Sequence, residues 1–439
     1  EPIRHIGRAG RPKAGPYDER HMNNPCGVAV DSRNQLWVAE EDHQPKRVSV
    51  WTLDGSFVKA FYGPSEYGGG GTLDPKDKRR FYYRGLEFNL DWEKGKGTLT
   101  NILFRHSPEE LLPPDGWGSN GMPEVPIHIG RRCYFSNWTD SNPTQGAPIA
   151  SLWLERDGVA RPVAAAGAVR NWSRLSDSLG GGAETQALRQ RVPEGSAPGR
   201  DKLFFIWSDL NRDEELQAEE VQFRQGDSGG VTVGEDLTFI VARINGKTTM
   251  FTPVANRRGI PVYDIGAGTV VAEGVLPPAS SGGDQALVSD DGWTILSLGL
   301  HPFAQHSLCG VHRGKARWSY PNVWPGLHAA HEAPAPAFPG QLIGPTRLLG
   351  GFFDPPGNEA GPLWAINGNM GEMYLFTRDG YFVAGLFKDV RQGAPWSMPV
   401  AERGMLLNNV SPHDENFWPT ITQTADGRVY IVDGGRTSL

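Results

Sequence analysis

Short apolar runs, separated by turn-forming residues, recur along the whole chain. Three of them, at positions 34–40, 361–367 and 427–433, share one frame in which a turn residue opens the run and an aromatic residue holds the fourth position. Runs of this length that are rich in β-branched and aromatic residues and bounded by Gly or Asn are typical of strands. The pattern therefore predicts many short strands and few helices.

Two of these runs continue in the same way into a second and a third strand. Residues 48–58 contain the turn Asp54-Gly55, and residues 373–383 contain Asp379-Gly380, each between two apolar segments. An Asp-Gly pair in this position is among the strongest local signals of a β-hairpin. Each unit is therefore predicted to be strand, strand, turn, strand, which is the tail of a four-stranded propeller blade.

Two segments carry a family resemblance. Residues 25–31 (PCGVAVD), followed by Leu36–Ala39, resemble the NHL repeat of six-bladed propellers. Residues 314–320 (GKARWSY) are similar to the blade-closing turn of quinoprotein-like repeats. The resemblance implies an all-β protein, and it specifies architecture much better than activity.

From these units we expect one β-propeller domain over residues 1–439. Seven blades are favoured in a range of six to eight, with short helical and loop insertions that include a helix at 184–191. The ring is closed either by the N-terminal run at 3–6 or not at all, if the chain is truncated. Candidate blades between the repeats comprise residues 132–135 with 151–155 and 159–163, residues 203–207 with 237–242 and 262–265, and residues 286–320.

Composition narrows the class of protein. The 439 residues include 56 Gly and 35 Pro, and 38% are hydrophobic, which suits a packed chain with many turns. The net charge is −7 and no basic block stands out, so nucleic acid is not an expected partner. No apolar run is long enough for a membrane-spanning helix.

Residues 209–220 match the calcium-binding loop of EF-hand proteins. Oxygen-bearing side chains stand at positions 1, 3, 5, 7 and 12 of the twelve, and position 8 is apolar. We predict that a structural Ca²⁺ is bound there, within one blade. The predicted ligands are Asp209, Asn211, Asp213, Glu215 and Glu220, with position 7 contributing its carbonyl. Position 6 departs from the template, because Glu214 replaces the glycine that makes the sharp turn.

Candidate catalytic residues cluster in loops that are rich in histidine and acids. The segment at 324–332 places two imidazoles three residues apart beside a carboxylate, which suits either a second metal at His328/His331 or a base with its orienting group. Other polar groups follow or precede predicted strands, where propellers place ligand sites. The residues predicted to be catalytic are His328, His331, His413, Arg47, Glu40 and Glu415.

Three functions remain open. Acids, amides and histidines framed by tryptophans favour a protein that binds or cleaves a polysaccharide or oligosaccharide as a lyase or hydrolase. The predicted calcium site favours a secreted protein, extracellular or periplasmic. A redox enzyme with a quinone or a histidine-bound metal is the second. A propeller that only binds other proteins is the third.

Overall fold

Antiparallel hairpins make up most of the computed structural model. The structure describes residues 4–41, 43–63, 70–105, 122–137, 148–180, 184–196, 202–278, 284–303, 306–321, 334–344, 347–368, 371–387 and 419–432. Strands account for 48% of it, so the prediction of an all-β protein is confirmed. Apolar and polar residues alternate in the strand Val221–Gln225, which is the pattern of a sheet with one covered face, whereas Leu203–Ser208 is buried throughout.

The strands form seven main sheets, numbered here in chain order. Sheet 1 contains β2–β5 (Pro25–Val30, Gln35–Glu40, Arg47–Thr52, Phe57–Tyr62). Sheet 2 contains β6–β9 (Thr72–Leu73, Arg80–Tyr83, Leu86–Asp91, Lys96–Ile102), with β1 (Gly15–Pro16) beside β9. Sheet 3 contains β10–β15 (Val125–Ile129, Arg132–Ser136, Ile149–Arg156, Val159–Ala168, Leu203–Ser208, Val221–Gln225).

The remaining sheets are smaller. Sheet 4 contains β16–β18 and β21 (Val231–Val233, Phe239–Ile244, Lys247–Phe251, Thr269–Glu273), and β19–β20 (Ala255–Arg257, Ile260–Val262) form a separate hairpin. Sheet 5 contains β22–β25 (Ala286–Val288, Trp293–Leu296, His306–His312, Lys315–Pro321). Sheet 6 contains β26–β28 (Leu363–Asn367, Met373–Thr377, Phe382–Leu386), and sheet 7 contains β29–β30 (Thr420–Gln423, Val429–Val432).

The two α-helices of the described residues are short insertions in sheet 3. Between β13 and β14 lie α1 (Ser173–Gly180) and α2 (Glu184–Arg189), and the second confirms the predicted helix. Leu175 and Leu179 of α1 are buried beside Trp207, so the insertion covers the outer strands of this sheet. Three-residue 3₁₀ helices stand at Val169–Asn171, Ala218–Glu220 and Ile265–Ala267. No helix in the described ranges combines the length and apolarity needed to cross a membrane.

Successive sheets pack against each other through apolar side chains. The Tyr82 and Phe135 rings join sheets 2 and 3 with their centroids 4.8 Å apart, and Phe204 stacks on Phe251 between sheets 3 and 4. One apolar cluster joins sheets 4 and 5, another joins sheets 5 and 6 around Trp364, and a third joins sheets 6 and 7. The core is thus a series of inter-sheet layers.

Sheet 7 also contacts sheet 2. The Thr420 hydroxyl donates a hydrogen bond of 2.6 Å to the Gly71 carbonyl, and the Ala425 amide donates one of 2.7 Å to the Pro75 carbonyl. Lys78 pairs with Asp426 at 2.7 Å. These contacts join segments that are about 350 positions apart, so sheet 7 packs on sheet 2.

Sheet 1 lies beside this series and packs only part of its surface on sheet 2. The Tyr62 and Phe88 rings meet edge to face at 5.6 Å. All six residues of β2 are exposed, including Val28 at 72%. Arg4 donates to the Leu53 carbonyl of this sheet, and residues 4–6 are not in a strand.

Two strand assignments show where the sequence pattern succeeds and fails. The segment 286–320 forms sheet 5 as predicted. Strand β14, which was predicted to share a blade with residues 237–242, instead pairs with β13 and β15. The physical reason is that β13, which is ten residues long, pairs with β12 along one edge only. Its other edge is free, and β14 pairs with it after the helical insertion.

Candidate metal centre and neighbouring polar sites

The predicted calcium loop is held at both ends by sheet 3. It begins immediately after β14 and ends in the 3₁₀ helix Ala218–Glu220, directly before β15. The Asp209 amide donates a hydrogen bond of 3.0 Å to the Val163 carbonyl of β13. Strands flank the loop on both sides, as predicted, so its ends are fixed by the paired backbones of β14 and β15.

Three carboxylates converge inside this loop. One oxygen from each of Asp209, Asp213 and Glu220 lies within 4.8 Å of the others. Asp209 and Glu220 are only 2% and 3% exposed, whereas Asp213 is exposed. Hard oxygen ligands at this density suit Ca²⁺ much better than zinc or copper.

With Asp209, Glu220 is the most enclosed of the predicted ligands. Its Oε1 accepts hydrogen bonds from the Leu210 amide at 2.7 Å and the Asn211 amide at 3.2 Å. Its Oε2 is buried and accepts no well-formed hydrogen bond from any described residue, although the Trp207 indole helps to lower the pKa of this carboxyl. Leaving a carboxylate oxygen buried without a partner is costly, and a bound cation would remove that cost.

The pKa shifts of the acids follow from their burial. Burial raises the pKa of Asp209 and of Glu220, and the neighbouring carboxylates raise them further. Partial loss of water contact would raise the pKa of Asp213. Hydrogen bonds from the Glu215 amide and from the Asn211 and Gln217 side chains outweigh this effect and lower the pKa. The two buried acids are thus destabilised as anions until a positive charge joins them.

The other two predicted ligands have different side-chain partners. Asn211 donates through Nδ2 to Asp213 and Gln217, at 2.8 Å in each case, and its Oδ1 accepts from the Asp213 amide. The Glu215 carboxylate pairs with Arg174 of α1, which leaves only its carbonyl for the loop. Sequence reasoning missed Arg174 because it is 41 positions away.

Glu214 explains how the loop turns without glycine. Its φ is +62°, the left-handed conformation that the template glycine would adopt. Its carboxylate pairs with Arg161 of β13 at 2.6 Å, and both side chains are partly exposed. Arg161 therefore anchors a turn that is unfavourable for an L-residue.

Replacing Glu214 should separate these two effects. Glu214→Gly should give a loop that is at least as stable as the wild type, since a left-handed L-residue costs about 1–2 kcal/mol and an exposed ion pair is worth about 1 kcal/mol or less. Glu214→Ala removes the ion pair and keeps the strain, so it should be the least stable of the three. Urea unfolding measures this order, and equal stability of the Gly and Ala variants would contradict it.

Glu40 and Arg47, predicted as catalytic, lie in a closed network within sheet 1. Their side chains are 0% exposed and form an ion pair at 2.8 Å. Arg47 also donates to the Glu19 and His21 carbonyls, and Glu40 accepts from the Asn23 amide at 2.6 Å. Every side-chain oxygen and nitrogen of this pair faces a protein partner. We therefore infer that the pair stabilises the sheet.

The remaining catalytic candidates lie outside the described residues. These are His328, His331, His413 and Glu415. Two other histidines of the same stretch of sequence are described: His301 is exposed, and His312 stacks on Trp293 at a centroid distance of 4.7 Å. The predictions for the four residues therefore stay predictions.

A second polar network, which sequence reasoning missed, is buried between sheets 2 and 3. His128 Nε2 lies 2.9 Å from Asp74 Oδ1, and the Tyr82 hydroxyl donates to Asp74 Oδ2 at 3.1 Å. Burial alone would raise the pKa of Asp74, but hydrogen bonds from His128, the Lys76 amide and Tyr82 outweigh it and lower the pKa. No local signal links positions 74 and 128.

Comparisons with known proteins give no family. No protein-family model and no curated protein matches the chain. Solved structures that align with it include the streptogramin B lyase (10% identity, 93% of this chain and 90% of that one, TM-score 0.30). A putative 6-phosphogluconolactonase from Bacteroides uniformis aligns at 10% identity over 83% and 84% of the two chains, with a TM-score of 0.32. The Dos1 propeller aligns at 10% identity over 82% and 68%, with a TM-score of 0.27.

These TM-scores are too low for the likenesses to support an argument about fold or function.

Proposed function

We propose that the protein binds one structural Ca²⁺ in the loop at residues 209–220. The observation that carries the proposal is the convergence of Asp209, Asp213 and Glu220, with Glu220 nearly fully buried and one of its oxygens lacking a hydrogen bond. Asp209, Asp213 and Glu220 would supply the carboxylate oxygens and Glu215 the carbonyl. Asn211 would have to exchange its present hydrogen bonds for the metal.

A calcium titration tests this proposal. Isothermal calorimetry on the metal-stripped full chain should show one Ca²⁺ per molecule, and Glu220→Gln should abolish binding because it removes a buried charge from the site. Glu219→Gln is the matched control, since that neighbouring carboxylate is exposed and outside the cluster. Binding that survives Glu220→Gln unchanged would contradict the assignment.

Acid should weaken this binding. The pKa values of Asp209 and Glu220 lie above their ordinary values of 3.8 and 4.5, so the metal-free loop retains protons that the unfolded chain has lost. Calcium must displace them, and its affinity should fall as pH drops through the raised pKa values. In the metal-free protein the protonated carboxyls contribute stability to the folded state. This contribution is complete below the ordinary pKa values and is lost as the pH rises through the raised pKa values.

We propose a propeller arrangement for the sheets. Sheets 2 to 7 would form the ring, with sheet 1 packed outside it. The support is the chain-order packing of these sheets and the contacts of Thr420 and Asp426 with sheet 2. Six sheets in the ring lie within the expected range of six to eight and below the favoured number of seven.

The activity that we propose on this scaffold is binding or cleavage of carbohydrate outside the cytoplasm. A structural calcium suits an extracellular or periplasmic setting, and residues 209–220 do not include any of the histidines for which chemistry is predicted. Glu40 and Arg47 are no longer candidates for the site of this activity, because the side chains of both are fully buried. The candidates that remain are His328, His331, His413 and Glu415.

Turnover of a glycan panel tests the activity. With calcium present, His328→Ala should lower turnover of any accepted glycan by at least about a hundredfold, the usual contribution of a general base. His5→Ala, at an exposed position near the N-terminus, should leave turnover unchanged. Full turnover by His328→Ala would remove this residue from the mechanism.

A further inference from the structure

A polar cavity of about 310 Å³, open to solvent, lies on sheet 2, where Arg80 links it to Asp74 at 3.8 Å. Its walls come from three neighbouring strands, and the turn that contains Asp77 and Arg79 also lines it. The strand residues are Arg80 of β7, Glu87 and Asn89 of β8, and Thr100 and Asn101 of β9. None of these described lining residues is apolar, and the volume suits one small ligand.

The charges of this cavity cancel within its walls. Arg79 pairs with Asp77 at 2.9 Å, and Arg80 pairs with Glu87 at 2.8 Å. Arg80 is held further by the Tyr82 ring beneath it, at 5.5 Å. An anion would meet two carboxylates and a cation would meet two guanidinium groups, so neither charge is favoured. A zwitterion would have to break ion pairs that are already formed.

The neutral groups keep unused hydrogen-bonding capacity. The Asn89 side chain is exposed and makes no hydrogen bond with the described residues. Thr100 donates to the Glu87 carbonyl at 3.0 Å, which leaves its oxygen free to accept. Asn101 donates to Glu87 at 2.7 Å through Nδ2, and its Oδ1 receives no hydrogen bond from the described residues. Amide and hydroxyl groups thus face the cavity from two adjacent strands.

We propose that this cavity binds a neutral polyhydroxylated ligand, one sugar ring in size. Vicinal hydroxyl groups both donate and accept, and fixed amide, hydroxyl and guanidinium groups on paired strands match that alternation. The choice of a sugar rests on the proposed carbohydrate function. The inference that the ligand is neutral and polar does not rest on that function, because it follows from the paired charges of the cavity alone.

Saturation-transfer NMR and calorimetry on the full chain with calcium test this inference. The probes are the methyl α-glycosides of glucose, galactose and mannose, with glucuronate and glucosamine as charged analogues of the same ring. At least one neutral glycoside should bind, and both charged analogues should bind more weakly. Asn89→Leu should weaken binding at least tenfold and Thr100→Val severalfold, whereas Thr269→Val, at an exposed position on β21 of sheet 4, should not.

The outcomes separate the cavity from the wider function. Neutral-sugar binding that is unchanged in Asn89→Leu and Thr100→Val overturns the cavity assignment and leaves the carbohydrate function standing. Tighter binding of glucuronate, or of an amino acid added as a zwitterionic probe, overturns the ligand class. If no glycoside binds the cavity while longer glycans are turned over, the inference fails and the proposed function remains. If no sugar of any length binds, both fail.

Discussion

Stripping calcium from the protein should lower its unfolding temperature by several degrees, and Glu220→Gln should make that temperature independent of calcium. A ligand that binds only the folded state at a hundred times its dissociation constant contributes about 2.7 kcal/mol. The gain is expected here because Asp209 and Glu220 are buried anions with raised pKa values, and calcium neutralises them. Thermal unfolding with EGTA and with excess Ca²⁺ measures the difference.

The same experiment distinguishes a metal site from a merely structural acid. Without calcium, Glu220→Gln should be no less stable than the wild type, because it removes a buried charge and keeps an oxygen to accept from the Leu210 amide. A structural carboxylate would instead destabilise the protein equally with and without calcium when it is replaced. Glu219→Gln should retain the full calcium response, and Mg²⁺ should give a smaller one.

Breaking the Glu40–Arg47 ion pair should destabilise the protein by about 3–5 kcal/mol, since either single replacement leaves a charge buried without its partner. Arg47→Met leaves the Glu40 carboxylate buried without its ion-pair partner, and it also leaves the Glu19 and His21 carbonyls without their donor. Glu40→Gln leaves the Arg47 guanidinium buried without its ion-pair partner. The double variant should cost clearly less than the sum of the two, because it contains no unpaired charge. Chemical denaturation of all four proteins measures the coupling.

An exposed pair gives the control. Asp18 and Arg20 interact at 2.8 Å, with 24% and 53% of their side chains exposed, and their replacement should change stability by about 1 kcal/mol or less. Variants of Glu40 or Arg47 that keep full stability and lose turnover would contradict our assignment and return both residues to the catalytic candidates.

Local signals in the sequence were sufficient for hairpins and for the convergence of acids within residues 209–220. The Asp-Gly turns predicted the strand pairs around them, and the spacing of acids in residues 209–220 predicted the group that converges. The left-handed backbone at Glu214 follows from the same template. In each case the interacting residues lie within about a dozen positions, where backbone geometry alone brings them together.

Contacts between distant segments were beyond such reasoning. Glu40 and Arg47 were predicted to be catalytic because they stand at strand ends, but the backbone of residues 19–23, up to 28 positions away, encloses the pair. The Asp74–His128 pair depends on how two sheets meet. Periodicity indicates which face of a strand is apolar, and it does not indicate which other sheet covers that face.

The contacts between Thr420 and Gly71, and between Asp426 and Lys78, have a consequence for how the chain acquires its structure. A ribosome releases residues 70–80 long before residues 420–430 exist, so sheet 2 spends most of synthesis with one flank uncovered. Joining ends separated by some 350 residues carries an entropic cost that only the final contacts offset. Folding should therefore finish with a slow, late closure step, and until then the flank of sheet 2 is a place where another nascent chain can pair.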